Sequence, residues 1–197
     1  MTLVSCVGEQ NKDKKMFYLD SDGVFARWRK YVLSTHFPGM TIKEFNALPE
    51  LRRRSLVRSM YQNDPDLFYK LEPIEGVERI LETVDRLCDS WAILTSGSED
   101  HYDHQLVVDS KQRWFMKHFG VPADKVIVTE SSGQKKAYAS RGNLLVDDYG
   151  RNCREWILQG GAAIWSRTEE PNIDGICLQC EAFYNDPITH SGTLLQV

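Results

Sequence analysis

The sequence predicts an α/β fold: a doubly wound parallel sheet with a small helical cap inserted after the first strand. Three observations predict it. Short apolar runs alternate with stretches of helical spacing, the pattern of crossover units on a parallel sheet. Three of those runs deliver acidic or hydroxyl residues at their carboxyl ends, where open α/β sheets bind ligands. Finally, several helical stretches separate the first run from the second, although a simple crossover needs only about a dozen residues.

The elements follow in order. Residues 3–7 form an apolar segment able to add an edge strand, and the polar run 8–15 reads as a loop. The first core strand is 16–19, short, apolar and aromatic. Residues 24–37 have helical spacing, with Phe25, Trp28, Val32 and Leu33 as apolar positions, and Pro38-Gly39 stops them. Thr41-Ile42-Lys43-Glu44 is a capping-box pattern that starts a short helix. Pro49 begins another, which runs through Arg52-Arg53-Arg54 to about Tyr61. After a break at 63–66, Leu67-Phe68-Tyr69 leads to Glu72-Pro73, and 74–88 is an amphipathic helix with Val77, Ile80, Leu81, Val84 and Leu87 on one face.

The second core strand, 91–94, ends in Thr95-Ser96-Gly97. Ser98 is placed to cap a long helix through Phe119, with Gly120 closing it. Residues 125–129 are the third strand, and a turn at Gln134-Lys135-Lys136 follows. Residues 143–146 form a strand ending in Asp147-Asp148, 151–159 a helix, and 161–165 a final core strand. Residues 172–197 carry no assigned role. The domain division is therefore 1–24 with 72–197 for the core and 25–71 for the cap.

A chain of 197 residues fits one domain with a modest insertion and can bury a real core. No apolar run approaches a membrane span. A net charge of −4 argues against a broad electrostatic footprint on nucleic acid, while a small phosphorylated substrate answers only to the local field. The five cysteines are odd in number and lack a framework spacing, which together with the want of a signal peptide points to a reducing cytoplasm. Cys177-x-x-Cys180 stands alone, short of the four ligands zinc wants. His101 and His104 share one face at the start of their helix, and with no third ligand nearby they read as surface or rim residues.

The chemistry concentrates at Asp20-Ser21-Asp22-Gly23. Carboxylates this close repel unless a cation or a shared proton compensates, and oxygen-only ligands favour a hard ion such as Mg2+. Alone, the stretch more often marks an Asx-rich turn after a strand. In company it does not, because Thr95-Ser96, then Lys135 or Lys136, then Asp147-Asp148 follow in that order. This series resembles the haloacid dehalogenase (HAD) superfamily of phosphatases, from about residue 16 to about residue 165, and the resemblance implies a HAD-like, Rossmannoid core. The run from Asp20 to Trp28 further resembles the first motif of the 5'(3')-deoxyribonucleotidases, Asp-x-Asp-Gly-Val-Leu-Ala-Asp-Phe. Leu71-Glu72-Pro73-Ile74-Glu75-Gly76-Val77 resembles that family's entry into the next helix. Arg27 stands where the family has an acidic residue and Phe25 where it has leucine.

The resemblance implies an enzyme, a Mg2+-dependent phosphomonoesterase. Asp20 is expected to attack phosphorus and form an aspartyl-phosphate, and Asp22 to protonate the leaving alkoxide and later activate water. Mg2+ is expected on Asp20, the main-chain carbonyl of Asp22, and Asp147, with Asp148 supporting the site from outside the ligand set. Thr95 or Ser96 would donate to the phosphoryl group. Lys135, which fits the family's spacing to Asp147 slightly better than Lys136, or else Lys136, would supply positive charge to its oxygens. Trp28 matches the aromatic that follows the family's first motif and is expected to contact a nucleoside monophosphate. The cap aromatics Phe45, Tyr61, Phe68 and Tyr69 read either as base platforms or as cap core. The cluster Arg52, Arg53, Arg54 and Arg58 reads as a solvated helix face or as a steering patch. Other small phosphomonoesters, such as sugar phosphates or a nucleic-acid end, are alternative substrates. A phosphoaccepting receiver module, which is not an enzyme, is the rival class, but its motif order differs and it has no cap.

Overall fold

The computed structural model describes residues 15–88, 90–166 and 170–197. The edge strand expected at 3–7, the 8–14 part of the loop after it, and Cys6 lie outside them. Strand β1 (Met16–Leu19) is followed by helices α1 (Trp28–His36), α2 (Ile42–Ala47), α3 (Glu50–Asn63), α4 (Leu67–Lys70) and α5 (Glu78–Leu87). Next come β2 (Trp91–Ser96), α6 (His104–Phe119), β3 (Val126–Thr129), a 3-10 turn over Ser132–Tyr138, and β4 (Asn143–Asp147). The remainder is α7 (Gly150–Leu158), β5 (Ala162–Trp165), α8 (Ile173–Asn185), α9 (Pro187–His190) and β6 (Leu194–Gln196).

The six strands are parallel and run β3-β2-β1-β4-β5-β6 across the sheet. The chain winds outward from β1 through β2 to β3, then returns to the other side of β1 with β4. The winding direction therefore reverses between β1 and β4, the place where doubly wound sheets open a crevice. Leu19 pairs with Val146 there, and the Asp20 amide donates to the Val146 carbonyl at 2.9 Å. The first carboxylate of the opening motif is thus set beside Asp147.

Both faces of the sheet are buried, as expected for parallel strands covered by helices on each side. Phe17, Leu19, Ile93, Leu144, Val146 and Ile164 face one core, which also takes in Val84 of α5, Trp114 of α6 and Phe183 of α8. Tyr18, Ala92, Leu94, Leu145 and Ala163 face the other, closed by Cys153 and Trp156 of α7. The alternation within β1 is the period-2 pattern of a strand.

Several boundaries differ from those the sequence predicts, and each has a tertiary cause. Helix α1 begins at Trp28 rather than Val24, because the Ser21 carbonyl accepts from Val24, Phe25 and Ala26 and folds them into a loop. That loop pairs with the segment before α5: Arg27 N–H donates to Glu72 and Ile74 N–H to Phe25. The same pairing takes 74–77 out of the predicted helix, which starts at Glu78. Helix α6 begins at His104, capped by Asp103 and not by Ser98. The capping box on Thr41 forms as predicted, and Gly120 closes α6 at φ 67°.

The tail, to which the sequence assigns no role, has a place in the fold. Helix α8 packs beside α5 and buries Ile176, Cys180 and Phe183 against the sheet, with the Phe183 ring edge-on to Phe17 at 5.7 Å. Each such apolar side chain contributes about 2 kcal/mol on burial. Strand β6 then extends the sheet beyond β5. The segment is part of the core.

Candidate active site

Four of the expected residues meet at the β1–β4 crevice. Asp20, Asp147 and Asp148 each offer an oxygen within 4.8 Å of the others. Lys135 Nζ lies 2.7 Å from Asp20 Oδ1 and 2.8 Å from Asp147 Oδ2, with only 2% of its side chain exposed. Asp147 is fully buried; its oxygens also accept from the Tyr149 amide at 2.7 Å and the Asn152 amide group at 2.9 Å. The Arg29 guanidinium reaches Asp148 Oδ2 at 2.8 Å.

The electrostatics follow from that crowding. Burial pushes the Asp148 carboxyl up to about 8; the Asp20 charge adds to the rise and Arg29 opposes it. Asp147 is raised for the same leading cause and partly offset by Lys135. Burial alone would lower Lys135, but Asp147 and Asp20 outweigh it and hold the ammonium firmly charged. Three converging carboxylates offset by nearby cations form an all-oxygen donor set suited to a hard divalent ion. Among the described residues this is the only such group of three or more potential ligands.

Gly23 explains why the motif needs glycine at that point. Its φ is +83°, and a Cβ added there would stand 2.2 Å from Asp148 Oδ2.

Asp22 sits apart from the three-carboxylate group. Its Oδ2 accepts from Lys111 Nζ at 2.7 Å, whereas Oδ1 is buried with no hydrogen-bond partner among the described residues. Burial raises its pKa, Lys111 opposes the rise, and Asp20 adds to it. Thr95 is fully buried and its hydroxyl accepts from the same Lys111 at 3.0 Å, while Ser96 lines the open cleft. That cleft is about 330 Å3 and is lined by Asp20, Asp22, Lys135 and Asp148 together with Trp28, Tyr61, Phe68 and Tyr149.

Some expectations are corrected. Lys136 is not at the site: the tight 3-10 turn sends adjacent side chains in different directions, and Lys136 lies out at 3.6 Å from Glu155. Asp148 is within the carboxylate group and not behind it. His101 and His104 do not share a helix face, because His101 precedes α6. Its Nδ1 accepts from the Asp103 amide and its Nε2 donates to the Pro65 carbonyl, so neither nitrogen is left for a metal. Of the cap aromatics, Tyr61 and Phe68 reach the cleft. Phe45 packs on Phe37, and Tyr69 lies beneath Arg113 and Lys117 on another surface. Arg54 and Arg58 both bind Asp100 at 3.3 Å, tying α3 to the loop after β2. Phe25 packs between Phe115 and Phe119, and Arg27 pairs with Glu170 at the surface, so neither departure from the deoxyribonucleotidase motif lines the cleft.

Residues of the site that escaped the sequence reading include Lys111, Arg29, Tyr149 and Asn152. Lys111 had a signal: it lies one turn from Val107 and one turn from Phe115, a lysine on the buried stripe of α6. Arg29 had none beyond adjacency to Trp28.

Comparison with known proteins adds three findings. The family model described as "5' nucleotidase, deoxy (Pyrimidine), cytosolic type C protein" matches residues 17–170. No curated protein matches the chain. Among solved structures, a haloacid dehalogenase-like family hydrolase from Xanthomonas campestris superposes with a TM-score of 0.53 at 12% identity, covering 91% of this chain and 95% of that one. A HAD hydrolase, family IA, variant 3, from Entamoeba histolytica gives 0.53 at 13% identity over 92% of each chain. A hydrolase from Pseudomonas syringae gives 0.51 at 13% over 93% of each. At these identities the likeness is one of fold.

Proposed function

The chain belongs to the family of cytosolic type C 5'-nucleotidases and is a phosphatase of that type; from that premise we propose that it hydrolyses (deoxy)nucleoside monophosphates through an aspartyl-phosphate on Asp20. The observation that carries the reading is the meeting of Asp20, Asp147 and Asp148 with Lys135 under an aromatic-walled cleft.

Asp20, at the tip of β1, attacks phosphorus. The new bond joins its oxygen to phosphorus as the ester P–O bond breaks and its electron pair leaves with the alkoxide. Asp22 gives that alkoxide its proton, then takes one from the water that attacks the aspartyl-phosphate and frees Asp20. Lys135 faces the oxygens of the transferring group, where negative charge is spread, and Ser96 or Thr95 donates to them. Mg2+ would be held by Asp20, Asp147 and the Asp22 main-chain carbonyl, with Asp148 in reach, and when bound it lowers the repulsion between an anionic nucleophile and an anionic phosphate.

Residues 25–71 act as the cap. They supply Trp28, Tyr61 and Phe68, which offer a base flat apolar surfaces and keep water from the carboxylates. Action in the cytoplasm accords with the family's description, and no helix among the described residues is long and apolar enough to cross a membrane.

The test is phosphate release from 5'- and 3'-nucleoside monophosphates against sugar phosphates, with Mg2+ and with EDTA. Hydrolysis of nucleotides that EDTA abolishes supports the reading. Preference for sugar phosphates would overturn the nucleotide assignment, and activity indifferent to EDTA would overturn the metal.

A further inference from the structure

We infer that Lys111 is a positioning residue for the phosphatase reaction: it pins one oxygen of Asp22 and so presents the other to the leaving group. The inference rests on the function proposed above and goes beyond it, since nothing in that scheme uses a residue of α6.

Lys111 is 2% exposed, and a lysine ammonium is costly to bury unless its donors are answered. Here all three directions are. Nζ donates to Asp22 Oδ2 at 2.7 Å and to Thr95 Oγ1 at 3.0 Å, and it lies 4.3 Å from the centre of the Phe68 ring. An ammonium has no acceptor, so the Thr95 oxygen must accept and its hydroxyl proton turns away from Lys111. Thr95 and Phe68 thereby hold the ammonium from a strand and from the cap, and the ammonium holds Asp22.

The effect on Asp22 is to make its two oxygens unequal. Oδ2 is occupied, while Oδ1 is buried with no partner among the described residues, an arrangement that costs free energy unless a ligand completes it. In the proposed reaction the oxygen of the departing alkoxide is the group that completes it. Without Lys111 the carboxyl is free to rotate and either oxygen competes for that place.

The experiment compares leaving groups. The full chain and its Lys111→Met variant are assayed with a nucleoside 5'-monophosphate, whose alkoxide must be protonated as it departs, and with p-nitrophenyl phosphate, whose aryloxide needs no proton. The parameter is kcat/KM, which reports the steps through departure. The expected result is a loss on the nucleotide larger than that on the aryl ester by about a hundredfold, the size of a general-acid contribution. Asp22→Asn should show the same selectivity, and adding Lys111→Met to it should cost little more on the nucleotide. An equal loss on both substrates, or a fully additive double variant, overturns the inference. If Lys111→Met does not fold, as judged by circular dichroism, Lys111→Arg is held to the same ratio, since its larger planar head displaces the Asp22 carboxyl. A wild-type chain that cleaves neither ester overturns the phosphatase reading and this inference with it. An active wild type whose variants show no selectivity overturns the inference alone.

Discussion

The Lys135 ammonium stands 2.7 Å from the Asp20 carboxylate, both are almost wholly buried, and neighbouring Lys136 is half exposed on the far side of the same turn. Two adjacent lysines thus make unequal demands on the fold. Lys135→Met leaves Asp20 and Asp147 facing each other without their shared cation and is expected to destabilise the metal-free protein by about 3–5 kcal/mol, the cost of breaking a buried pair. It should also abolish most phosphatase turnover. Lys136→Ala should change stability by less than about 1 kcal/mol, since its ion pair with Glu155 is at the surface. Urea melts and phosphate release on both variants check this; similar behaviour of the two would contradict the placement of Lys135.

In the proposed reaction the two carboxylates of the opening motif have different tasks. Asp20→Asn removes the nucleophile and should abolish turnover with the fold intact. Asp22→Asn should still bind a nucleoside monophosphate but leave it nearly uncleaved. Equilibrium binding and single-turnover phosphate release separate the two, and substantial turnover by either variant would remove that residue from its role.

Gly23 packs directly against the Asp148 carboxylate. Gly23→Ala forces a positive φ on an alanine, at about 1–2 kcal/mol, and drives a methyl into Asp148. Displacing that carboxylate by a fraction of its own width is expected to cost about a hundredfold in kcat/KM. Mg2+ titration of activity should show the required concentration rising as well. An unchanged Mg2+ requirement would mean Asp148 takes no part in holding the ion.

Acid should act on the cap through Asp64. Burial raises its pKa, but hydrogen bonds from Lys70, Tyr31 and His36 outweigh this and hold it below its ordinary 3.8. A carboxylate depressed in the folded state binds protons more weakly there than when unfolded. Its stabilisation is therefore present above about pH 3.8 and lost as pH falls through the depressed value. Because Asp64 joins Tyr31 and His36 of the α1 helix to Lys70 of α4, Asp64→Asn should weaken the cap by about 1–3 kcal/mol at neutral pH. It should also flatten the acid limb of a stability-against-pH curve. A variant with the wild-type acid limb would show that Asp64 does not carry it.

How much of this was legible beforehand depends on the distance over which each feature is decided. The apolar runs of β1, β2 and β4 betray themselves locally, and with them the carboxylates and hydroxyls at their tips. The capping box at Thr41 is equally local. The start of α1 is not, because Glu72–Ile74 reach back from beyond the cap to claim the amide and carbonyl groups of Phe25 and Arg27. The choice between Lys135 and Lys136 turns on which side of a 3-10 turn faces inward, and the sequence offers only the spacing to Asp147, which favours Lys135 slightly. His101 looked like the first turn of a helix until Pro65, from the cap, supplied the acceptor that holds it in a loop. Lys111 shows the converse: a charge on an apolar helical stripe is visible in the sequence, but its partners come from the loop after β1 (Asp22), from β2 (Thr95) and from α4 (Phe68).

Strand β6 has a practical consequence. Pairing of Ala163 with Leu194 and Ile164 with Leu195 gives β5 a neighbour on its outer side, while α8 shields Phe17 and the inner surface of α5. A protein trimmed before Ile173 would present a bare, apolar ribbon ready to pair with another molecule, and with it an uncovered hydrophobic floor. Such shortened protein should precipitate or run as high-mass species on a sizing column, even though every residue assigned to phosphate chemistry is still in the chain.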